Sequence, residues 1–519
     1  MHIRAGRHAR HARYELSEAS GLDATSLDRL AVAVAFAAEP EAIDGGAAEL
    51  DRVDGDHHDL KAIDELSGQA VFSPLLAARA GRGLDEDDLE RSLRRLLNRG
   101  YELLLRRYES SGSTWIGTVA SLVELVGATP SGAGVGQGQI PVIEVEVGRG
   151  EAGKGPVVSW AVNDESGQAN NANTRLAGAS GKGKSQVLLH LLAAIVQRSP
   201  QTGFVLLDYK GDLHGNRAFV KATGARIITP DKEPIPINPF ELPAKVNRRL
   251  APRAFAEIFA AVAPNIGPVQ QTLLAQAMRQ AYGRADDAGG GCPTLADVRD
   301  AVVAEYARAG RGEDTVIAVL RDVAELGLFS QRSLFTPEDL LQQRLIIDLS
   351  NLRTLRDFVA FVLLEHLHNT AQGLPDAPFD GRRKTRALRS IVAVDEAHYY
   401  LERSRCQPLL SLIRIGRSKG TPVFLCSQSL EDFRGATELN ELLANTFVFG
   451  HGVAPPPRGL AGALGIGKQQ AAGVADRVTQ LDQFMAYTNL ARGDGNTAPS
   501  PVRLTPLFEA PTFEAAAGS

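Results

Sequence analysis

The sequence has few cysteines and no long apolar run. Its three cysteines, Cys292, Cys406 and Cys426, are too few and too scattered for a disulfide framework or a zinc site, which favours a reducing, cytoplasmic location. No apolar stretch approaches the ~18 residues of a membrane span, so we expect no membrane association. Residues 1–13 carry arginine and histidine but lack the apolar region of a secretory signal. We interpret them as a basic, disordered tail, with a nucleic-acid-binding arm as the alternative.

What the chain does contain is typical of a large globular protein. With 519 residues it exceeds one hydrophobic core, and we expect two or three domains. The apolar share of 44% and the charged share of 23% are ordinary. The net charge of −5 averages over local basic stretches, so it neither requires nor excludes nucleic acid as a partner.

The most informative segment is GASGKGKS, residues 178–185, which fits G-x-x-x-x-G-K-[ST]. In this pattern the backbone N–H groups of a glycine-rich loop and the positive end of the following helix surround the phosphates of a nucleotide. The spacing assigns Lys184 to the β- and γ-phosphates and the Ser185 hydroxyl to Mg²⁺. The predicted nucleotide-binding residues are Gly178, Ser180, Gly181, Lys182, Gly183, Lys184, Ser185 and Gln186.

A second motif, SIVAVDEAH at residues 390–398, runs from an apolar strand into two adjacent acids. Asp395 can hold the water shell of Mg²⁺, and Glu396 can act as the general base for the attacking water. Two acids at the end of a buried strand are unfavourable without a cation, although a surface acidic turn is the alternative. We interpret His398 as a packing or coupling residue rather than a metal ligand.

Three polar residues further along complete the predicted catalytic set. Gln428 ends the apparent strand VFLCS and could touch the γ-phosphate or the attacking water. Arg414 and Arg417 could reach the phosphate of a neighbouring subunit and stabilise transition-state charge in trans. Ordinary surface arginines are the alternative for both.

Two more acids end apolar strands in the same half of the chain. Asp208 follows GFVLL and Asp348 follows RLII. The carboxyl ends of the strands are the ligand side of an open α/β sheet. Helix capping or loop anchoring is the alternative role for both acids.

The pattern along the chain predicts several regions. Strands and helices alternate from about 174 to 508, which indicates a doubly wound α/β domain, and the strand-free stretch at about 241–340 indicates a helical insertion. Residues 14–110 are predicted to form a small helical domain and residues 111–173 a β-containing connector. Residues 509–519 are predicted to be a flexible tail.

We predict four elements of secondary structure in the region before the α/β domain. Helices are expected at 26–38 and 85–107, and strands at 142–147 and 157–162. The second helix begins with acids and continues with arginines. This polarity complements the helix dipole, and a basic face for DNA phosphates is the alternative interpretation.

Together these motifs resemble the HerA/FtsK superfamily of ring-forming DNA pumps, with the HerA-like branch, which includes conjugation ATPases, closer than FtsK. The matching pieces lie in the same order from residue 178 to residue 506 and are GASGKGKS, LLDYKGD, INPF, IIDLS, VAVDEAH, RIGRSKG, LCSQS and PVRLTP. The resemblance implies a RecA-like P-loop ATPase core, a hexameric ring, ATP with Mg²⁺, and duplex DNA in a central channel.

The amino-terminal region departs from that family. The small β-barrel that usually precedes HerA motors is not recognisable at 111–170, and the region instead resembles DndE, a small helical protein of DNA phosphorothioate systems. The matching pieces are YELSEAS at 14–20, FAAEP at 36–40 and LDEDDLERSLRRLLNRGYELL at 84–104, whereas the tryptophan- and cysteine-bearing stretch of DndE is absent. This resemblance implies a DNA-binding module fused to a DNA motor.

Three hypotheses follow. The first is an ATP-driven translocase of duplex or nicked DNA in a phosphorothioate-linked modification or anti-phage restriction system, working with modification or nuclease partner proteins. The second is a conjugation- or secretion-type ATPase. The third is an ATP-gated scaffold on DNA with little turnover. No nuclease constellation is recognisable in the sequence, so strand cutting is assigned to a partner.

Overall fold

The computed structural model divides the chain into two compact units, Met1–Gly138 and Gln139–Ser519. In the first unit only short stretches are described, between residues 2 and 104. In the second unit the described residues are 140–150, 153–166, 170–213, 215–243, 245–262, 266–288, 291–401, 407–435, 439–490 and 500–510.

The described residues of the first unit include pieces of both predicted helices. Ala31, Val32 and Tyr101 are helical and buried. The Tyr101 hydroxyl donates to Asp28 Oδ1 at 2.5 Å, so the two helical segments are in contact. The rest of the predicted helical domain lies outside the described residues, so its limits and its likeness to DndE stay predictions.

The first unit also contains short antiparallel strand pairs, His2–Arg4 with His57–Asp59 and Glu65–Leu66 with Gln69–Ala70. The first pair includes part of the predicted basic tail, so that tail is not wholly irregular. Pairing needs only backbone hydrogen bonds, which a polar sequence does not reveal.

Among the described residues of the second unit, eleven strands form one sheet. These strands are β1 Glu144–Arg149, β2 Val157–Ala161, β3 Thr174–Ala177, β4 Gly203–Asp208, β5 Arg226–Ile228, β6 Arg344–Asp348, β9 Ser390–Val394, β10 Val423–Ser427, β11 Asn445–Phe449, β12 Met485–Thr488 and β13 Val502–Leu504. A separate hairpin joins β7 Phe379–Asp380 to β8 Thr385–Arg386.

The strand order is β2-β1-β13-β12-β11-β3-β10-β9-β4-β6-β5. The strands from β11 to β5 are parallel, and those from β12 to β2 continue the sheet antiparallel. All residues of β3, β4, β9, β10 and β11 are buried. Parallel strands covered on both faces have this near-continuous apolar sequence.

Helices cover both faces of the sheet. Their bounds are α1 Lys184–Arg198, α2 Arg217–Thr223, α3 Ala251–Val262, α4 Pro268–Asp287, α5 Leu295–Arg308, α6 Thr315–Glu325, α7 Pro337–Gln342, α8 Arg356–Gly373, α9 His398–Leu401, α10 Gln407–Lys419, α11 Leu439–Leu442, α12 Pro457–Leu464 and α13 Lys468–Val478. Short 3₁₀ helices lie at Ser350–Leu355, Leu430–Gly435 and Leu507–Glu509.

The second unit has two large hydrophobic cores, and strand β4 contributes side chains to both. Val205 and Leu207 pack with the core that includes α8 and α10, whereas Phe204 and Leu206 pack with the core that includes α1. In the stretch 241–340, the described residues form α3 to α6, the start of α7 and the turns between them. Three of these helices begin at side-chain caps, on Thr294, Asp314 and Thr336.

The predicted connector and tail need correction. The strands expected at 142–147 and 157–162 form as β1 and β2, but β1 pairs with β13, with Gly148 opposite Leu504. These strands therefore extend the main sheet. The sequence did not reveal this, because their partner strand is distant in the chain and local patterning does not identify distant partners. At the carboxyl end, Glu509 makes two hydrogen bonds with Arg503 and Ala510 is buried, so the predicted flexible tail does not begin at 509.

We predict that Gly148→Ala weakens this junction. A Cβ atom at residue 148 would lie 2.2 Å from the Arg503 carbonyl oxygen, a backbone atom that cannot move without disturbing the strand pair. The free energy of unfolding should fall by about 1–3 kcal/mol in chemical denaturation. Gly150→Ala is the matched control, because its Cβ would meet nothing closer than 3.7 Å. Equal stability of the two variants would contradict the pairing of β1 with β13.

Candidate active site

The loop between β3 and α1 is shaped by glycine. Gly181 and Gly183 have φ of 78° and 97°, a region that residues with a Cβ atom rarely adopt. A Cβ on Gly181 would meet nothing within 4 Å, so this part of the loop borders open space. Ser180 at the same tip is exposed. The loop can therefore turn tightly while leaving room for an anion.

Helix α1 begins immediately after this loop and has no side-chain cap. Gly183 is its N-cap, and its first turn has no acidic residue. Uncapped N–H groups and the positive end of the helix dipole favour a negative ligand at this point. Ser185 and Gln186 lie in the first turn, and the Gln186 Oε1 atom is buried without a hydrogen-bond partner. These features fit the predicted phosphate site.

Lys184 lies folded back over the loop. Its Nζ atom donates to the carbonyl oxygens of Gly178 and Ala179 at 2.6 and 2.9 Å, and the residue is only 8% exposed. Burial lowers the pKa of Lys184, although the nearby charges of Glu396 and Asp395 oppose that shift. Both hydrogen bonds go to neutral carbonyl oxygens, so no acid forms a direct hydrogen bond with this ammonium group.

Lys182, the other lysine of the loop, contacts a different part of the chain. Its Nζ atom donates to the Leu481 carbonyl oxygen at 2.6 Å, and its own carbonyl accepts from the Phe484 N–H at 3.0 Å. The position that a Cβ on Gly183 would take lies 2.3 Å from the Phe484 ring. Lys182 thus ties the loop to the segment before β12, an anchoring contact that the motif alone does not reveal.

The two acids of the second motif lie at the same edge of the sheet as the loop. They follow β9, which is separated from β3 only by the parallel strand β10. Asp395 and Glu396 are 5% and 4% exposed. Burial, with the negative charge of Glu396 added, raises the pKa of Asp395 to about 7. A carboxyl group in this environment is stabilised by a bound cation.

Glu396 has two bonded partners and a third polar neighbour. Its Oε1 atom forms an ion pair with Lys210, its Oε2 atom accepts from Gln428 Nε2 at 3.0 Å, and His398 Nδ1 lies 3.2 Å from Oε2 without a hydrogen bond. Burial alone would raise the pKa of Glu396, but the proximity of His398, Lys210 and Gln428 lowers it to about 2. Glu396 also has a φ of 53°, which is strained for a non-glycine residue.

Lys210 is the residue of the candidate site that sequence reasoning missed. It lies two residues beyond the end of β4, in the piece LLDYKGD. Strand β4 is the neighbour of β9, and only that placement brings the lysine to Glu396. A lysine just past the carboxyl end of a buried strand was the available signal.

The structure assigns anchoring contacts to the other two strand-end acids. The Asp208 carboxylate accepts from the N–H groups of Gly211 and Leu213 at 2.8 and 2.9 Å. Asp348 accepts from the N–H and the hydroxyl of Ser350 at 3.0 and 2.6 Å. These contacts agree with loop anchoring, the alternative interpretation of both residues.

Arg414 and Arg417 do not lie at this edge. Both are exposed on α10, whose end leads into the amino end of β10, whereas the acids follow the carboxyl end of β9. Arg417 Nη2 lies 3.0 Å from Glu165 Oε2, and Glu165 also binds Arg386. These arginines are therefore not placed to contact a phosphate bound at the loop of the same chain.

The residues present fit a nucleotide-bound Mg²⁺ better than a protein-enclosed metal. Among the described residues, no group of three or more histidine, cysteine, aspartate or glutamate side chains could hold a metal ion. Magnesium is commonly bound by one or two protein oxygens together with phosphates and water, and Ser185 and Asp395 are the predicted donors. No helix in the described ranges has the length and apolar character needed to cross a membrane.

The sheet and the loop define a RecA-like α/β fold of the P-loop class, as the sequence predicts. The chain is similar to the solved structure of VirB4 from Thermoanaerobacter pseudethanolicus, with a TM-score of 0.54 and 14% identity over 71% of this chain and 97% of that one. This match confirms the fold. No family model and no curated protein matches the chain.

Other solved structures are more distant. The plasmid coupling protein TrwB in complex with ADP and Mg²⁺ has a TM-score of 0.43 and 15% identity, over 71% of this chain and 96% of that one. The cytoplasmic domain of the type VII secretion ATPase EccC of Thermomonospora curvata has a TM-score of 0.33 and 14% identity, over 73% of this chain and 32% of that one.

We predict that alanine substitutions of the two lysines of the loop lower ATP hydrolysis to different extents. Lys184→Ala should lower ATP hydrolysis at least about 100-fold, because it removes the cation that the motif assigns to the β- and γ-phosphates. Lys182→Ala should lower it less than about tenfold, because that side chain binds the Leu481 carbonyl oxygen. Steady-state hydrolysis and binding of a fluorescent ATP analogue distinguish the two. The reverse order would contradict the placement of Lys184.

Proposed function

We propose that the chain is a Mg²⁺-dependent ATP hydrolase that works as a DNA-translocating motor. The observation that supports it most is the meeting of Lys184, Asp395, Glu396 and Gln428 at one edge of a RecA-like sheet. Phosphoryl transfer to water needs a cation that binds the phosphates, an acid that holds the metal and a second acid that accepts a proton from the water. ATP and Mg²⁺ are therefore the proposed substrate and cofactor.

In this proposal each residue has a separate task. The backbone N–H groups of the loop, the first turn of α1 and Lys184 bind the phosphates. Ser185 and Asp395 hold Mg²⁺, which offsets the negative charge that develops on the phosphate oxygens. Glu396 accepts the proton of the attacking water, and Gln428 orients that water or the γ-phosphate.

The role of DNA rests on the ordered resemblance to the HerA/FtsK superfamily, as do the hexameric ring and the trans role of Arg414 and Arg417. A conjugation- or secretion-type ATPase is the second candidate, and the fold match to VirB4 over 97% of that chain favours it. The phosphorothioate or anti-phage pathway, its partner proteins and the cytoplasmic location remain predictions from the sequence, and no described residue or matched structure supports the pathway.

Glu396→Gln tests the proposed general base. The amide cannot accept the proton, so turnover at saturating ATP should fall by about 10²–10⁴-fold while nucleotide binding is kept. The control is Glu441→Gln, an exposed acid on α11, which should stay within about twofold of the wild type. Chelation of Mg²⁺ should abolish hydrolysis by all variants. Turnover of Glu396→Gln at the wild-type rate would end the assignment.

Duplex DNA tests the proposed motor. Turnover by the full chain should rise severalfold when duplex DNA is added, and the protein should displace the third strand of a triplex in an ATP-dependent reaction. Lys184→Ala should fail in both assays. Hydrolysis that is insensitive to DNA, with no strand displacement, would contradict DNA translocation and favour the secretion-type candidate.

A further inference from the structure

The carboxylate of Glu396 is paired with side chains of its own chain. Lys210 forms an ion pair with one oxygen, Gln428 donates to the other, and His398 lies nearby. A general base must direct a lone pair at the water whose proton it takes, and an ammonium group on the same carboxylate competes for that position. The contact with Lys210 therefore competes with the attacking water.

We propose that Lys210 is a positioning residue that withholds Glu396 from the attacking water in the resting chain and releases it for hydrolysis. The inference rests on the proposed ATPase function and adds a restraint that the catalytic motifs do not contain. It concerns only side chains of this protein.

Lys210 is the contact best suited to open. The Lys210 side chain is 39% exposed, so water can solvate its ammonium group when the ion pair opens. The Glu396 side chain is only 5% exposed and stays in place. The loop that carries it is fixed at its base, because Asp208 binds the N–H groups of Gly211 and Leu213. The side chain can swing while the loop stays in place.

Aromatic stacking links this ion pair to the protein surface. Tyr209, next to Lys210, stacks on Tyr399 with ring centroids 4.1 Å apart and 14° between the planes. The Arg356 guanidinium lies 4.1 Å from the centre of the Tyr209 ring. These residues follow three neighbouring strands, β9, β4 and β6, and Tyr399 is 37% exposed. The ion pair is therefore continuous with a row of stacked side chains that reaches the protein surface.

The first test measures turnover without DNA. Lys210→Met removes the ammonium group and keeps an unbranched apolar side chain, so kcat should rise by about three- to tenfold with KM within about twofold. Lys210→Arg should behave as the wild type, because it keeps a cation. Lys232→Met is the matched control, since Lys232 is exposed and its side chain forms no hydrogen bond or ion pair with the described residues. A lower or unchanged kcat in Lys210→Met would overturn the proposal.

The second test needs no nucleotide. Thermal unfolding of Lys210→Met, Glu396→Gln and the double variant forms a double-mutant cycle in the free protein. If the pair exists in the resting chain, the Tm shift of the double variant should differ from the sum of the single shifts. Additive shifts would overturn the proposal independently of any activity.

The two tests separate this proposal from the function on which it rests. A wild-type chain that neither binds nor hydrolyses ATP would overturn both. A wild-type chain that hydrolyses ATP, together with a Lys210→Met variant that is no faster, would overturn the restraint alone.

Discussion

Two adjacent carboxylates at the end of β9 are the constraint on which the rest of the site depends. Asp395 and Glu396 are both buried, and charged acids in that position repel each other and lose their hydration. The chain offsets this cost by placing lysines on either side, Lys184 from the glycine-rich loop and Lys210 from the loop after β4. The remaining negative charge at Asp395 is what a divalent cation would stabilise.

The parallel sheet makes this meeting possible. Strands that run in one direction present their carboxyl ends at one edge, so loops distant in sequence converge there. The lysine of the loop, the acids and Gln428 follow β3, β9 and β10, which are neighbours. At the opposite edge, Arg417 and Arg386 bind Glu165. A single chain therefore holds most of the proposed hydrolytic site and keeps its candidate arginines away from it.

The sequence predicts the parts of the site that are contiguous in the chain. A glycine-rich loop before an apolar helix, and two acids after an apolar strand, have local patterns whose chemistry can be recognised without a fold. The contact of Lys210 with Glu396 could not be predicted, because it depends on β4 being the neighbour of β9. The pairing of Gly148 with Leu504 has the same cause. Long-range neighbours follow from strand order, which local periodicity does not encode.

The environment of Glu396 bears on how hydrolysis is controlled. A carboxylate whose pKa is lowered to about 2 is a weak base, and the ammonium group of Lys210 competes with a water for its oxygen. Its left-handed backbone conformation is held by its neighbours rather than by its own preference. Under the proposed restraint, the resting site disfavours turnover even though the proposed catalytic residues lie together. A DNA motor of the proposed kind would need that property, because ATP hydrolysed in the absence of DNA produces no movement.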